Sequence, residues 1–475
     1  MPHKNAAYRR RDFLKAMALG AAGLSLSGRC RAAEARPNFV IIIGDDVGWN
    51  DIGTYGNPLI RTPHVDAMAR RGMQCNNAYL TVSSCSPSRA SIMTGLYPHN
   101  TGAGELHQPL AAAAVTIPAL LKDAGYYTAC AGKFHMGHIQ AHFDLVTDSQ
   151  PSGCEQWVEV LSKRPKDKPF FLWFAAHDAH RGWSATKGEN AISQPHRNDE
   201  VVVPPFLPDA PKVRRDLGQY YDEVSRLDRF TGEVLAELDR QGIVDNTFVL
   251  FMSDNGRPFP RCKTTVYDSG LKTPFIVHWP GHVKAGSASQ SLVSAVDIAP
   301  TILELAGLAP VPSFQGRSFA PLLRNPEATI REYVHGEHNW HDYQAHERSV
   351  RSMQYLYISN AFPELPGTPP ADAVNSATYA TLRQWRDAGK LTPQQQGPFV
   401  VPRPEEQLFD VRGDPYSFEN LVGKPEYEGV LADMRGEYES WVRRTHDKVP
   451  ENPTPDHFDR ETGKRLAKGG RPKGY

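Results

Sequence analysis

Apolar residues along this chain fall in continuous runs rather than in alternation with polar ones. Asn38–Gly44, Tyr126–Ala131, Phe170–Ala176, Thr247–Met252 and Phe275–Trp279 are each dominated by β-branched, aromatic or small apolar side chains. Runs of this kind predict strands buried on both faces, as in a mostly parallel sheet. Between them the period changes to that of helices. Thr62–Gly72 has a proline near its start and a glycine at its end, Ile117–Ala124 is amphipathic, and Asp222–Leu238 places Val224, Leu227, Val234, Leu235 and Leu238 on one face. The prediction is an α/β fold, a large mixed, mostly parallel sheet sandwiched by helices.

The texture changes beyond Gly316-Arg317-Ser318. Residues 331–425 are rich in proline, aromatics and histidine, and a late helix is expected over about Glu428–Arg443. We therefore expect a catalytic domain over 36–330, a smaller C-terminal α+β subdomain over 331–462 that contributes to the substrate pocket, and a basic, glycine-rich mobile tail over 463–475. At 475 residues the chain exceeds the usual size of one compact domain.

Titratable residues collect where the predicted strands end. Asp45-Asp46 follow the first, Lys133 and His135 the second, His177, Asp178, His180 and Arg181 the third, and Asp254-Asn255 the fourth. Open α/β sheets bind ligands beyond the carboxyl ends of their strands. Read singly, Asp45-Asp46 could cap a turn and Asp254-Asn255-Gly256 could form one. Taken together, Asp45, Asp46, Asp254 and Asn255 are hard oxygen ligands, which favours Ca²⁺, with Mg²⁺ as the alternative. Arg89, Lys133 and Lys263 offset the carboxylates and leave room for a monoanionic group.

One further segment, Ser84-Cys85-Ser86-Pro87-Ser88-Arg89, leads into a predicted helix over Arg89–Gly95. A helix N-terminus aims backbone N–H groups at an anion. The order Asp45-Asp46, Cys85-x-Pro-x-Arg89, Lys133-x-His135, His180, Asp254-Asn255, Lys263 resembles the formylglycine sulfatases of the alkaline-phosphatase superfamily over roughly residues 37–425. Ser83–Ser91, Gly104–Gln108, His177–Arg181, Asp254–Pro260 and Thr445–Asp447 are similar to the heparan N-sulfatases (sulfamidases, N-sulfoglucosamine sulfohydrolases). Ala179 stands where those enzymes usually have proline, and Lys263 where some have arginine.

The resemblance implies an alkaline-phosphatase-like fold and oxidation of Cys85 to Cα-formylglycine by a formylglycine-generating enzyme. The hydrate would be both nucleophile and metal ligand, held with Arg89. Lys133 and Lys263 would stabilise the sulfuryl oxygens, His180 would protonate the leaving atom, and His135 would act as the closing base. For a sulfated saccharide substrate, the candidate binding residues are His107, His177, Asp178, Arg181, His338 and Arg348; the His338–His346 cluster could equally be a solvated loop. An O-sulfatase or arylsulfatase with the same core is the alternative, ahead of a phosphonate or phosphodiester hydrolase or a catalytically dead glycan-binding protein.

Charge and cysteines refine this picture. The chain has 53 basic and 53 acidic residues, but its first 35 residues carry seven basic against two acidic, leaving a mildly acidic remainder. Nothing in that balance points to nucleic acid. Arg10-Arg11-Asp12-Phe13-Leu14-Lys15 before the apolar Ala16–Leu26 resembles a twin-arginine export signal over residues 1–35. It implies contact with the Tat machinery and a periplasmic or secreted protein. Because that route carries folded proteins, Cys85 would be modified first. No later segment has 18 consecutive apolar residues, so no stable membrane insertion is expected. Six cysteines show no metal-type spacing; they permit disulfides without demanding them.

Overall fold

The computed structural model describes residues 36–467. Residues 1–35, expected to be an export signal, and the tail from residue 468 onward lie outside the described residues. The described residues from Pro37 onward form a single compact unit.

Its main sheet has eight strands: β1 Asn38–Gly44, β2 Met73–Tyr79, β3 Tyr127–Gly132, β4 Leu145–Thr147, β5 Phe170–Ala175, β6 Thr247–Ser253, β7 Phe275–His278 and β8 Ser287–Ser294. Their spatial order is β4-β3-β5-β1-β6-β7-β2-β8. Every neighbouring pair is parallel except those made by β7, which runs antiparallel to both β6 and β2. The expected mixed, mostly parallel sheet is therefore the one observed.

The continuous apolar runs have a direct cause. Phe39, Ile41 and Ile43 of β1 enter one core with Trp173 and Met252, whereas Val40 and Ile42 enter the other with Leu172, Phe174 and Phe251. Burying each such side chain contributes about 1.5–3 kcal/mol. On the second face lies the helix Pro211–Arg240, longer than the periodicity of Asp222–Leu238 indicated, because Val213, Leu217 and Tyr220 extend its buried stripe.

Register aligns the strand ends. Ile43 pairs with Ala175 on one side and Met252 on the other, and Gly44 pairs with Ser253. The residues following β1, β5 and β6 thus emerge side by side. Gly132 closes β3 at φ +95°, where an added Cβ would stand 1.9 Å from the Ala175 carbonyl oxygen, so only glycine delivers Lys133 there.

A second, antiparallel sheet holds β9 Val334–His338, β10 Glu347–Arg351, β11 Tyr355–Asn360 and β12 Glu406–Asp410, in the order β12-β11-β10-β9. The helix Glu428–Thr445 covers it, packing Met434 with Val350, Tyr357 and Leu408. Glu337 N–H donates to the Thr81 carbonyl at 2.7 Å, tying β9 to the segment that precedes Cys85. Residues 463–466, assigned from sequence to the tail, instead pair back on the chain. Gly463 N–H donates to Asp459 O, Asp459 N–H to Lys464 O, and Leu466 N–H to His457 O, each at 2.8 Å. Cys75, Cys85, Cys130, Cys154 and Cys262 are all buried and unpaired. Among the described residues no helix is long and apolar enough to cross a membrane.

Candidate active site

Cys85 opens a helix, Cys85–Thr94, every residue of which is buried. The sequence pattern had placed the first turns at Arg89. Pro87 sits in the first turn, where its missing N–H costs no hydrogen bond, and Gly95 ends the helix at φ +63°. Cys85 Sγ lies 3.6 Å from Asp45 Oδ1 and 3.9 Å from Asp46 Oδ1. Burial pushes its thiol well above the ordinary range, against the pull of Lys133 and Lys263. An unmodified Cys85 is therefore a protonated, poor nucleophile.

Cations from three elements converge on the carboxylates. Arg89 Nε donates to Asp254 Oδ2 at 2.8 Å, and its Nη1 donates to the Lys133 carbonyl at 2.7 Å. Lys133 Nζ contacts Asp45 Oδ2, while Lys263 Nζ lies 2.8 Å from both oxygens of Asp46. Burial pushes Asp45 upward, but Lys133, His180, Arg89 and Lys263 outweigh it and hold the carboxyl well below its usual range. Asp254 is raised to about 6, by burial first and then by repulsion from Asp45 and Asp46.

The donor set fits a hard cation. Ligand atoms of Asp45, Asp46, Cys85 and Asp254 all lie within 4.8 Å of one another. Asn255 donates its Nδ2 to Asp46 Oδ1 and to the Gly256 carbonyl. Its buried Oδ1 has no hydrogen-bond partner among the described residues. A buried acceptor left in that state is costly unless it meets an ion or a donor, and Ca²⁺ or Mg²⁺ takes such oxygens.

Of these groups, Asp45, Cys85, Lys133 and Lys263 form the floor of a cavity of about 910 Å³ whose walls include His107, His135, His177, His180, Arg181 and His341. His135 Nε2 lies 2.8 Å from His107 Nδ1. Burial, helped by Lys133 and His107, holds His135 well below its ordinary value, so it stands neutral and able to accept a proton. His180 Nδ1 is 3.0 Å from the Arg181 carbonyl, which turns Nε2 toward Asp372, 3.6 Å away.

A family model described as Sulfatase matches residues 37–152 and 152–308 of this chain. The chain belongs to the sulfatase family. A second family model, described as N-sulphoglucosamine sulphohydrolase, C-terminal, matches residues 261–359 of this sulfatase. The human protein named N-sulphoglucosamine sulphohydrolase is 33% identical over 471 residues, covering 89% of this chain and 93% of the relative. An ulvan-active sulfatase of Formosa agariphila is 30% identical over 468 residues, covering 88% of this chain and 77% of the relative. Among solved structures, one of a protein in complex with its substrate D-glucosamine-2-N,6-O-disulfate aligns with a TM-score of 0.68 at 20% identity. It covers 87% of this chain and 99% of that chain, and shows likeness of fold.

Not every residue read from the sequence reaches the sulfatase cavity. Arg348 is buried elsewhere, donating from Nε and Nη2 to Asp447 at 2.6 and 2.9 Å and from Nη1 to Asn339. Its ion pair cross-links β10 to the end of the last helix. His338 pairs with Glu347 at 3.1 Å and lines a separate cavity of about 280 Å³. The carboxylate of Asp178 is taken by Arg226, at 2.8 and 2.6 Å, and by Ser152. Its backbone instead positions a ligand residue: Asp45 N–H donates to the Asp178 carbonyl at 2.8 Å, and Ala179 N–H donates to Asp45 O. Arg181 is held by Asp216 and stacks over Phe259, with its outer face on the cavity. His177 lines the mouth with Asp148 at 2.9 Å.

Of the His338–His346 cluster read from sequence, His341 and Asp342 reach this cavity, and Asp372 joins them with no role assigned from sequence. His341 Nδ1 lies 2.6 Å from Ser84 Oγ, beside Cys85. Asp342 and Asp372 arrive from the C-terminal half. Nothing in Pro369-Pro370-Ala371-Asp372 marks its aspartate as more than the start of a short helix.

Proposed function

We propose that this sulfatase removes the N-sulfate from glucosamine in heparan-type glycans, using a formylglycine made from Cys85. The observation that carries the reading is the setting of Cys85. It is an un-ionised thiol at a buried helix start, among three carboxylates and three cations. That arrangement suits an oxidised residue 85 better than a cysteine nucleophile. The C-terminal family match over 261–359 and the 33% identity to a human N-sulphoglucosamine sulphohydrolase support nitrogen as the leaving atom.

Asp45, Asp46, Asp254, Asn255 Oδ1 and residue 85 would hold Ca²⁺, which supplies a Lewis acid for the sulfuryl oxygens and lowers the pKa of a bound hydroxyl. Oxidised Cys85 supplies a hydrated aldehyde, one hydroxyl attacking sulfur and the other permitting release. Arg89 fixes Asp254 and the Lys133 carbonyl, and so sets the shape of the floor. Lys133 and Lys263 face the sulfuryl oxygens as they gain charge. His180 delivers a proton to the leaving atom, and neutral His135, steadied by His107, takes one from residue 85.

Export through the twin-arginine route to the periplasm or beyond, and maturation by a formylglycine-generating enzyme, belong to the same proposal. The 30% identity to an ulvan-active sulfatase favours a second reading, a saccharide O-sulfatase on the same floor. Protein from a host that oxidises Cys85, confirmed by the mass of its Cys85 peptide, should release glucosamine from N-sulfoglucosamine faster than it desulfates an O-sulfated sugar or an aryl sulfate. Absence of amine release, with sulfate release from the O-sulfated sugar, would replace the first reading by the second.

A further inference from the structure

One carboxylate beside His180 has no part in the chemistry above. Asp372, on the helix Ala371–Val374, places Oδ2 3.6 Å from His180 Nε2. That oxygen accepts no hydrogen bond among the described residues, whereas Oδ1 accepts from the Ala373 N–H at 2.6 Å. Ligand atoms of Asp46, His180 and Asp372 lie within 4.8 Å of one another, so a substrate atom within hydrogen-bond reach of both His180 and Asp372 lies beside the Asp46 edge of the floor. A second metal at this triad is disfavoured, because the Lys263 ammonium already sits 2.8 Å from both Asp46 oxygens.

We infer that Asp372 is the specificity-determining residue that selects nitrogen over oxygen as the leaving atom. The inference rests on the N-sulfate reading. The bridging atom of R–NH–SO₃⁻ carries a hydrogen that an orphan carboxylate oxygen can accept. The bridging oxygen of a sulfate ester carries only lone pairs and is repelled. Sites built to pair a substrate N–H discriminate strongly against analogues that lack it. In the reaction, a hydroxyl of residue 85 attacks sulfur after losing its proton to solvent, and the S–N bond breaks with its electron pair moving to nitrogen. His180 transfers one proton to that nitrogen, giving a neutral amine. A second proton from water makes it ammonium, whose charge faces Asp372; an alcohol product would gain nothing from that carboxylate.

Matured wild-type protein, Asp372→Asn and Asp372→Glu would be compared on N-sulfoglucosamine and on 4-nitrophenyl sulfate, whose leaving group needs neither proton nor partner. The expected result is a fall in kcat/KM for Asp372→Asn that is at least about tenfold larger on the sulfamate than on the aryl sulfate, with partial recovery in Asp372→Glu. Equal falls on both substrates would mean that Asp372 only balances Lys263 and His180, and would overturn the inference alone. A wild-type protein that desulfates the ester but not the sulfamate would overturn the N-sulfate reading as well. A measurement on wild type needs no variant to fold: glucosamine should inhibit at least about tenfold more tightly than N-acetylglucosamine, and equal inhibition would count against the carboxylate's role.

Discussion

Arg89 presents both Nε and Nη2 to one oxygen of Asp254, each at 2.8 Å, with both side chains wholly buried. The same guanidinium reaches the Lys133 carbonyl, so one side chain ties the ends of β3 and β6 to the helix that begins at Cys85. Arg89→Ala would leave Asp254 as an uncompensated buried charge, and such losses cost about 3–5 kcal/mol. Chemical denaturation should show that destabilisation. Arg89→Lys, which keeps the charge but not the fork, should retain more stability yet lose most activity.

Calcium should stabilise the folded protein in proportion to occupancy, by about 2.7 kcal/mol at a hundredfold excess over Kd. Thermal melts with chelator and with added Ca²⁺ read this directly. Asn255→Ala removes the orphan Oδ1 and should shrink the Ca²⁺-dependent rise in Tm. An unchanged rise would remove Asn255 from the ligand set.

Acid should loosen the second sheet through His346. Burial, reinforced by Arg348, lowers this imidazole to about 4, below the ordinary value of 6.5. The folded value is the depressed one, so the unfolded chain takes up the proton first as pH falls. The contribution is complete above about pH 6.5 and is lost by about 1.4 kcal/mol per unit as pH drops toward 4. Denaturant unfolding of wild type and His346→Gln across that window should show the slope flattened in the variant.

Arg348 reads as a substrate contact in the sequence and as a structural ion pair in the fold. Arg348→Ala should cost about 3–5 kcal/mol through the stranded Asp447 carboxylate, while the KM of the folded fraction stays near that of wild type. A large rise in KM with unchanged stability would return Arg348 to the substrate.

How much of the site was legible depended on the reach of each interaction. The floor was readable because its residues follow strand ends, and parallel strands buried on both faces announce themselves as unbroken apolar runs. Asp45-Asp46, Lys133, His180 and Asp254-Asn255 belong to that group. Asp178 lines the cavity, but its carboxylate, which looks available beside His180 in the sequence, is held by Arg226, 48 residues away. Asp372 carries no local signature at all, whereas His341 belongs to a histidine cluster that the sequence does show.

The sequence by itself determined which apolar segments form the buried central strands, where they end, and which titratable groups those ends deliver around Cys85. Hydrophobic periodicity and short-range turn chemistry act within a few residues, so they survive in one dimension. Tertiary structure decided which polar side chains remain unpaired and face the cavity. Partners such as Arg226 for Asp178, Asp447 for Arg348 and His180 for Asp372 come from distant segments, and only folding brings them within bonding distance.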